Sequence, residues 1–447
     1  MKEPYTMPSI ADTVDLIQTL ESADITVVPE RCVVVRNRNA PCRACAEACT
    51  SQAIVLDPAS NALSVDAAAC IGCGSCATAC PTGALEAKKP TDAELLASCL
   101  AALEANDGEV VIACEQMCDA AKGLIDQGKV VSVACLGRVD ESLLSILALR
   151  GAEKIRLVRR ACDDCPHAAG GRLACRVVET ERVLLSAWGR ATQVKLSDKL
   201  PKSVRKAEDD AYDRDRRAFF HNLKDDAKEA AVKTTDFALE SELGLKQKES
   251  RNDVMRELHV GTDGTMPHFL PAKRECLLDA LGKMGEPADE LIDTRLFGHV
   301  IIDASACQSC KMCAVFCPTG ALSKCTASDG QAGLSHYPGA CVQCHTCEKV
   351  CPRQCLTLSE EVFARDVATG RREFYPMESD ADIKERNRHG MLNAMRKITG
   401  GTQIYERGMS QRDVTPLTHS RVYSGAQSHR RSLWQAPARG RIRCMIY

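Results

Sequence analysis

Sixteen of the chain's 27 cysteines, Cys32 among them, gather into four runs that pair two and two. Nothing else limits the fold as strongly, because each run must close around something that thiolates bind. The cleanest pair is Cys307, Cys310, Cys313 and Cys317 before Pro318, then Cys341, Cys344, Cys347 and Cys351 before Pro352. Both read C-x2-C-x2-C-x3-C-P, the spacing in which three thiolates hold one iron–sulfur cubane and the fourth reaches across to its neighbour. Cys307, Cys310, Cys313 and Cys351 are therefore expected to ligate one [4Fe-4S] cluster, and Cys341, Cys344, Cys347 and Cys317 the next. Turn signals at Asp329-Gly330 and Pro338-Gly339 lie between the runs. Structural disulfides and core thiols do not account for two full matches.

An internal repeat links the two ends: Cys80-Pro81-Thr82-Gly83-Ala84-Leu85 recurs as Cys317-Pro318-Thr319-Gly320-Ala321-Leu322, the mark of a reused unit. The first copy closes a regular run, Cys70, Cys73, Cys76 and Cys80. The run before it is irregular: Cys42, Cys45 and Cys49 match only the second, third and fourth positions. Cys32 is the sole upstream cysteine, and the turn-forming stretch Arg36-Asn37-Arg38-Asn39-Ala40-Pro41 can loop it back. One cluster is assigned to Cys70, Cys73, Cys76 and Cys49, the other to Cys42, Cys45, Cys80 and Cys32. The alternative is a three-cysteine site holding a three-iron cluster or a cubane with one non-cysteine ligand, with Cys32 a buried thiol. Thr50 stands where proline is expected after the fourth cysteine.

These runs resemble two-cluster bacterial ferredoxins over about 60 residues at each end. The resemblance implies a small module of two hairpins and two short helices. The short runs Val33-Val34-Val35, Ala53-Ile54-Val55-Leu56 and Leu63-Ser64-Val65 read as strands beside the cysteine loops.

Composition narrows the setting. At 447 residues the chain has room for about three domains. Its aromatic content of 4% is low for a large core, as suits small modules built around clusters. The net charge of −2 gives no global field toward nucleic acid. No basic-then-apolar leader, twin-arginine signal or apolar stretch of membrane-spanning length is present, so a cytoplasmic protein without direct membrane insertion is expected. Cysteine runs without a secretion signal indicate metal binding over disulfides.

Between the modules the pattern changes to strands alternating with helices. Strand-like runs at 109–113, 129–134 and 154–161 end at or near Cys114, Cys135, and Cys162 with Cys165, and Cys118 follows the first. A helix is expected over 140–150, capped by Asp140 and stopped by Gly151. Such a parallel sheet gathers ligands beyond the carboxyl ends of its strands. Cys114, Cys118, Cys135, Cys162 and Cys165 would thus converge on one edge, where a two-iron cluster or a zinc needs four of them. The alternative is a cluster-free domain whose cysteines are core hydrophobes.

The segment Cys135-Leu136-Gly137-Arg138-Val139-Asp140, then Gly151-Ala152-Glu153 and Cys162-Asp163-Asp164-Cys165-Pro166-His167, resembles the delta subunit of methyl-viologen-reducing hydrogenase. The likeness runs over roughly 90 residues. It departs in having Cys114-x3-Cys118 where that family has adjacent cysteines, and in a closer last pair. It implies a [2Fe-2S] cluster and electron passage between a hydrogenase and the flavin subunit of a heterodisulfide reductase.

The expected organisation is α+β and α/β multidomain: an N-terminal segment at 1–30, a two-cluster module at 31–90, the α/β iron–sulfur domain at 91–198, a charged helical connector at 199–290, a second two-cluster module at 291–362, and a basic, partly disordered tail at 363–447. The connector's interspersed charges read as solvated helix surface. The arginine-rich tail reads as a docking segment for an acidic partner. Cys99, Cys175, Cys276, Cys325, Cys355 and Cys444 fall outside the ligand spacings. Cys325 and Cys355 are read as thiols packed behind the cluster loops, Cys175 as a spare ligand for the middle site, and His167, His268 and His345 as surface or packing residues.

No nucleotide-binding glycine motif, Walker loop or adjacent cysteine pair is found. Four [4Fe-4S] clusters and one [2Fe-2S] cluster describe an electron carrier. The leading expectation is a subunit relaying single electrons between a flavoprotein and a hydrogenase or dehydrogenase. The rivals are an oxidoreductase with substrate at the middle metal site and a redox-sensing or assembly adapter.

Overall fold

The computed structural model describes residues 24–57, 61–206, 265–288 and 291–377, together with Ile398. The charge runs at 213–217 and 224–229, Arg421, Arg430, Arg431, Arg439, Arg441, Arg443 and Cys444 lie outside the described residues.

The first module runs from β1 (Ile25–Val27) through α1 (Val33–Arg36) and α2 (Ala44–Glu47) to a hairpin of β2 (Ile54–Asp57) and β3 (Ala62–Val65), then α3 (Ser75–Ala79) and β4 (Leu85–Ala87). First and last strands pair antiparallel with Val27 opposite Leu85, closing the module on itself. Ile25, Val34, Leu63 and Leu85 bury themselves among Cys32, Cys45 and Cys76. The three valines at 33–35 are helical, not the strand their β-branching suggests. Context overrides propensity here: Val33 and Val34 are buried, and the amides of Val34 and Val35 turn toward the Cys32 sulfur, which a strand does not allow.

The middle domain opens with α4 (Asp92–Ala105), whose Thr91 and Glu94 form a reciprocal capping box. It continues as β5 (Glu109–Cys114), α5 (Glu115–Ala120), β6 (Val131–Val133), α6 (Glu141–Leu149), β7 (Lys154–Val158), α7 (Ala168–Ala187) and β8 (Gln193–Ser197). The four strands pair in parallel in the order β6-β5-β7-β8. Val110, Val111, Ile112 and Ala113 are fully buried, as both faces of a central parallel strand require. Asp140 caps α6, accepting the Leu143 amide at 3.0 Å, and Gly151, at φ +94°, turns the chain out of it.

Next, α8 (Ala272–Met284) docks, with Leu277, Ala280 and Leu281 buried. This described part of the stretch read as a solvated connector turns inward. Lys273 lies 2.8 Å from Asp140 and 3.3 Å from Asp92. Against the penalty of burial, the Lys273 ammonium holds the Asp140 carboxyl well below the usual range, helped by the Ser142 hydroxyl and Arg138. Arg274 donates to Leu296 O at 2.6 Å and lies over the Phe297 ring, and Arg295 holds buried Glu141 with two bonds of 2.8 and 2.7 Å. One helix thus ties the middle domain to the second module.

That module comprises β9 (Leu291–Asp293), β10 (His299–Ile302), α9 (Met312–Val315), β11 (Leu322–Thr326), β12 (Ala332–His336), α10 (Thr346–Val350), β13 (Leu356–Ser359), β14 (Glu361–Phe363), α11 (Ala364–Thr369) and β15 (Glu373–Pro376). As in the first module, an outer pair closes it, Ile302 opposite Leu356, around a hairpin and two short helices. β15 adds a third strand beside β12, and β14 pairs with β9, so paired structure continues past residue 362. No helix among the described residues is long and apolar enough to cross a membrane.

Candidate metal centres

The folds of the two modules bring their cysteines into four sets of four. Cys32, Cys42, Cys45 and Cys80 lie within electrostatic reach of one another, and Cys70, Cys73, Cys76 and Cys49 form a second set. In the other module the sets are Cys307, Cys310, Cys313 and Cys351, and Cys341, Cys344, Cys347 and Cys317. The last set rings a hollow of about 330 Å³ walled by Val300, Leu322, Val342 and Leu358. Among the described residues no three His, Cys, Asp or Glu side chains draw close enough to share a single ion.

Local backbone explains how each set is aimed. In the regular runs the second and fourth residues after the first cysteine are left-handed: Gly72 and Gly74, Ser309 and Lys311, Gln343 and His345. For the four non-glycines this costs on the order of 1 kcal/mol each. The return is that amides face sulfurs, as where Ser309 N donates to Cys307 Sγ at 3.4 Å; beyond the fourth cysteine, Ala84 N donates to Cys80 Sγ at 3.2 Å and Leu322 N to Cys317 Sγ at 3.4 Å. The amides of Gly72 and Gln343 likewise favour the thiolates of Cys70 and Cys341. The Cys42, Cys45 and Cys49 run has no left-handed position, although the Ala44 amide still faces Cys42, and Cys32 arrives from the turn of α1.

Without a cation these thiols resist ionisation. Burial chiefly, then the neighbouring Cys80 and Cys32, push Cys42 up to about 12. Burial pushes Cys76 and Cys341 to about 12, and Cys344 to about 11, with neighbouring cysteines adding to it. Bound iron inverts that balance, since a coordinating thiol is deprotonated outright. Directed amides, apolar walls and crowded sulfurs all fit an anionic multi-iron cluster.

The middle domain repeats the device at the sheet edge. Cys114, Cys135, Cys162 and Cys165 line a hollow of about 340 Å³ with Arg159 and His167. Gly137 N donates to Cys135 Sγ and His167 N to Cys165 Sγ, both at 3.4 Å, the same two-residue offset as in the modules. Gly170 and Gly171, at the start of α7, make room: a Cβ on either would come within 2.6 Å of the Cys135 or Cys162 sulfur. Cys118 does not line the hollow; it packs beneath the sheet with Val111 and Ala113 and faces the Ser132 hydroxyl. Cys175 receives Arg159 at 3.5 Å.

Several further residues have defined places around these sets. Thr50 accepts the Ala169 amide at 3.0 Å, docking the first module on α7, a bond that proline could not make. Cys355 lies 3.4 Å from Cys351 and Met377 3.9 Å from Cys307. His268 Nδ1 lies 2.8 Å from Cys317 O, and His345 Nδ1 2.8 Å from Glu348. Cys99 and Cys276 belong to the middle core, and Cys325 is half-buried on β11. The adjacent glycines at 170–171 were the one visible signal, because glycines opening a helix ask for a reason.

Two stretches match known families: residues 40–84 a 4Fe-4S dicluster domain, and residues 300–323 a 4Fe-4S binding domain. The first stretch holds Cys42, Cys45, Cys49, Cys70, Cys73, Cys76 and Cys80, and the second Cys307, Cys310, Cys313 and Cys317. No curated protein and no solved structure matches the chain. The chain therefore carries two ferredoxin-type 4Fe-4S domains, and these point to iron–sulfur electron transfer as its role.

Proposed function

We propose that the chain is the iron–sulfur subunit of a redox complex, passing single electrons between a flavoprotein of the heterodisulfide-reductase type and a hydrogenase or dehydrogenase. The observation that carries this reading is the middle hollow: four cysteines from three strand ends, two of them met by amides at the offset used in the ferredoxin-type loops. With the four module sets, five sites hold four [4Fe-4S] clusters and a [2Fe-2S] cluster. Bound clusters of these kinds exchange one electron at a time. The protein's own part is to set charge and access: amides and the Arg159 guanidinium favour the thiolates, and apolar walls exclude water.

Iron and acid-labile sulfide analysis of anaerobically purified protein tests the cluster inventory. About 18 irons per chain is the expected result, and about 16 removes the middle cluster. Co-purification tests the partners: flavin is expected in a tightly associated second subunit, and substrate turnover by the isolated chain would overturn the carrier role.

A further inference from the structure

In sequence the middle domain separates the two modules, so its site would be expected to lie between them. Space orders them otherwise. The buried Ser75 hydroxyl lies 3.5 Å from Cys73 Sγ of the first module and also supports the Cys135 thiolate of the middle site. The contact exists because Gly137 and Gly170 have no side chains. A Cβ on Gly137 would stand 2.6 Å from Gly170 Cα, and nearer still to Ser75 Oγ. Thr78 Oγ1 donates to Arg138 O at 2.9 Å in the same interface.

The other side of the first module faces the second. Cys42 lies within electrostatic reach of Cys344, and residues 265–271 thread the joint. Buried Arg36 donates to Pro267 O at 2.6 Å and lies over Phe269. Phe269 N donates to Pro318 O at 2.7 Å. The repeated Cys-Pro-Thr-Gly turns grip this strap from both sides, Gly83 against Pro271 and Gly320 against His268.

The geometry points to a single unbranched file of five thiol sets, running from the middle site through Cys49/Cys70/Cys73/Cys76, Cys32/Cys42/Cys45/Cys80 and Cys317/Cys341/Cys344/Cys347 to Cys307/Cys310/Cys313/Cys351, with Ser75 the positioning residue at its first joint. The inference rests on the cluster reading above. Both ends of the file face solvent, at exposed Asp163, Asp164 and Pro166 on one side and Ile301, Ser305 and Gln308 on the other. The middle site is thus a terminus, and the two redox partners meet the chain at opposite ends.

Ser75 Oγ accepts from the Cys73 thiol while its one O–H is directed to Cys135; with both sulfurs ligating, that single O–H serves one of them at a time. A donor to a ligating thiolate stabilises the reduced, more negative state and raises its potential.

The test is electron paramagnetic resonance of the fully reduced, iron-loaded full chain. Cys310→Ser and Cys344→Ser identify the signals of the second module by their loss. Cys162→Ser is expected to remove the part of the first module's magnetic splitting that comes from the middle site and to leave the second module's signals unchanged. Cys344→Ser is expected to alter the first module's signals and leave the middle site's unchanged. Splitting lost from the second module on Cys162→Ser, or no change in the first, overturns the file. Ser75→Ala keeps every thiol and guards against misfolding of the cysteine variants. Redox titration should show a downward shift in a middle-site or first-module potential and none in the second module. No shift, or an equal shift everywhere, overturns the joint. The iron count separately tests whether the middle cluster exists.

Discussion

At the scale of single residues, Cys32 shows how a thiol far from a cysteine run is brought beside it. The regular runs aim amides at sulfur through left-handed loop positions, whereas the Cys42, Cys45 and Cys49 run lacks its first member. Cys32 fills the gap through a helical turn: the Val34 and Val35 amides face its sulfur, and Cys80, Cys42 and Cys45 surround it. Cys32→Ala is expected to convert one cubane of the first module into a three-iron cluster. The oxidised variant should then show a three-iron resonance of about one spin per chain that the unmutated protein lacks. An unchanged spectrum with full iron content would remove Cys32 from the set. Glu181 obeys a different rule. Burial raises its carboxyl well above the ordinary range, and the Ser145 hydroxyl reaches both of its oxygens, at 2.9 and 3.1 Å. A protonated side chain suits such a pocket.

At the scale of elements, the interface between α3 and the turn at Leu136–Arg138 depends on missing side chains. Gly137→Ala would drive a methyl into Ser75 and the Gly170 backbone, an overpacking that costs about 1–3 kcal/mol. Gly282→Ala, in α8 with nothing within 4 Å of the added carbon, should instead stabilise by about 0.5–1 kcal/mol. Thermal midpoints at one fixed scan rate check both; shifts of the same sign would mean that the space around Gly137 does not set the cost of a methyl there. These positions also mark how far sequence reading reaches. The 4Fe-4S character of the regular runs was legible, because a ligand spacing of two or three residues is a local property of the chain. The α6 boundaries were legible for the same reason, since Asp140 and Gly151 act within one turn. Val33-Val34-Val35 was misread as a strand because a three-residue apolar run carries no period, and its conformation is decided by the sulfur beside it. Cys118 sat one turn from Cys114 and read as a convergent thiol, yet it falls beneath the sheet. The order of the sets was illegible, because Ser75 and Cys135 meet only after two separate folds dock.

At the scale of the whole molecule, two kinds of core coexist. In the first module three of the eight core residues are cysteines of the cluster runs, namely Cys32, Cys45 and Cys76. The second module's core is similar, with Cys313, Cys317, Cys341, Cys347 and Cys351 among its buried members. The middle core differs: Cys99 is its one fully enclosed cysteine, and Ile112, Leu144, Leu147, Ile155, Leu157 and Leu173 supply aliphatic bulk. Where a cluster replaces apolar core, metal binding is folding free energy; where a sheet buries its own side chains, it is not. Stripping iron by oxidation and chelation should therefore melt the two modules and spare the sheet. Hydrogen exchange measured peptide by peptide is the check. Protection should vanish in β1, β4, β10 and β13 but persist in β5, β7 and α6. The joints make a finer demand. The face of the middle domain around Gly137 and Gly170 is covered by Ser75 of the first module, so protection at 136–140 should fall with that module even while the strands beneath it hold. Uniform loss across all three parts would mean that the sheet cannot stand without the clusters, and that the middle domain is no independent platform for its end of the file.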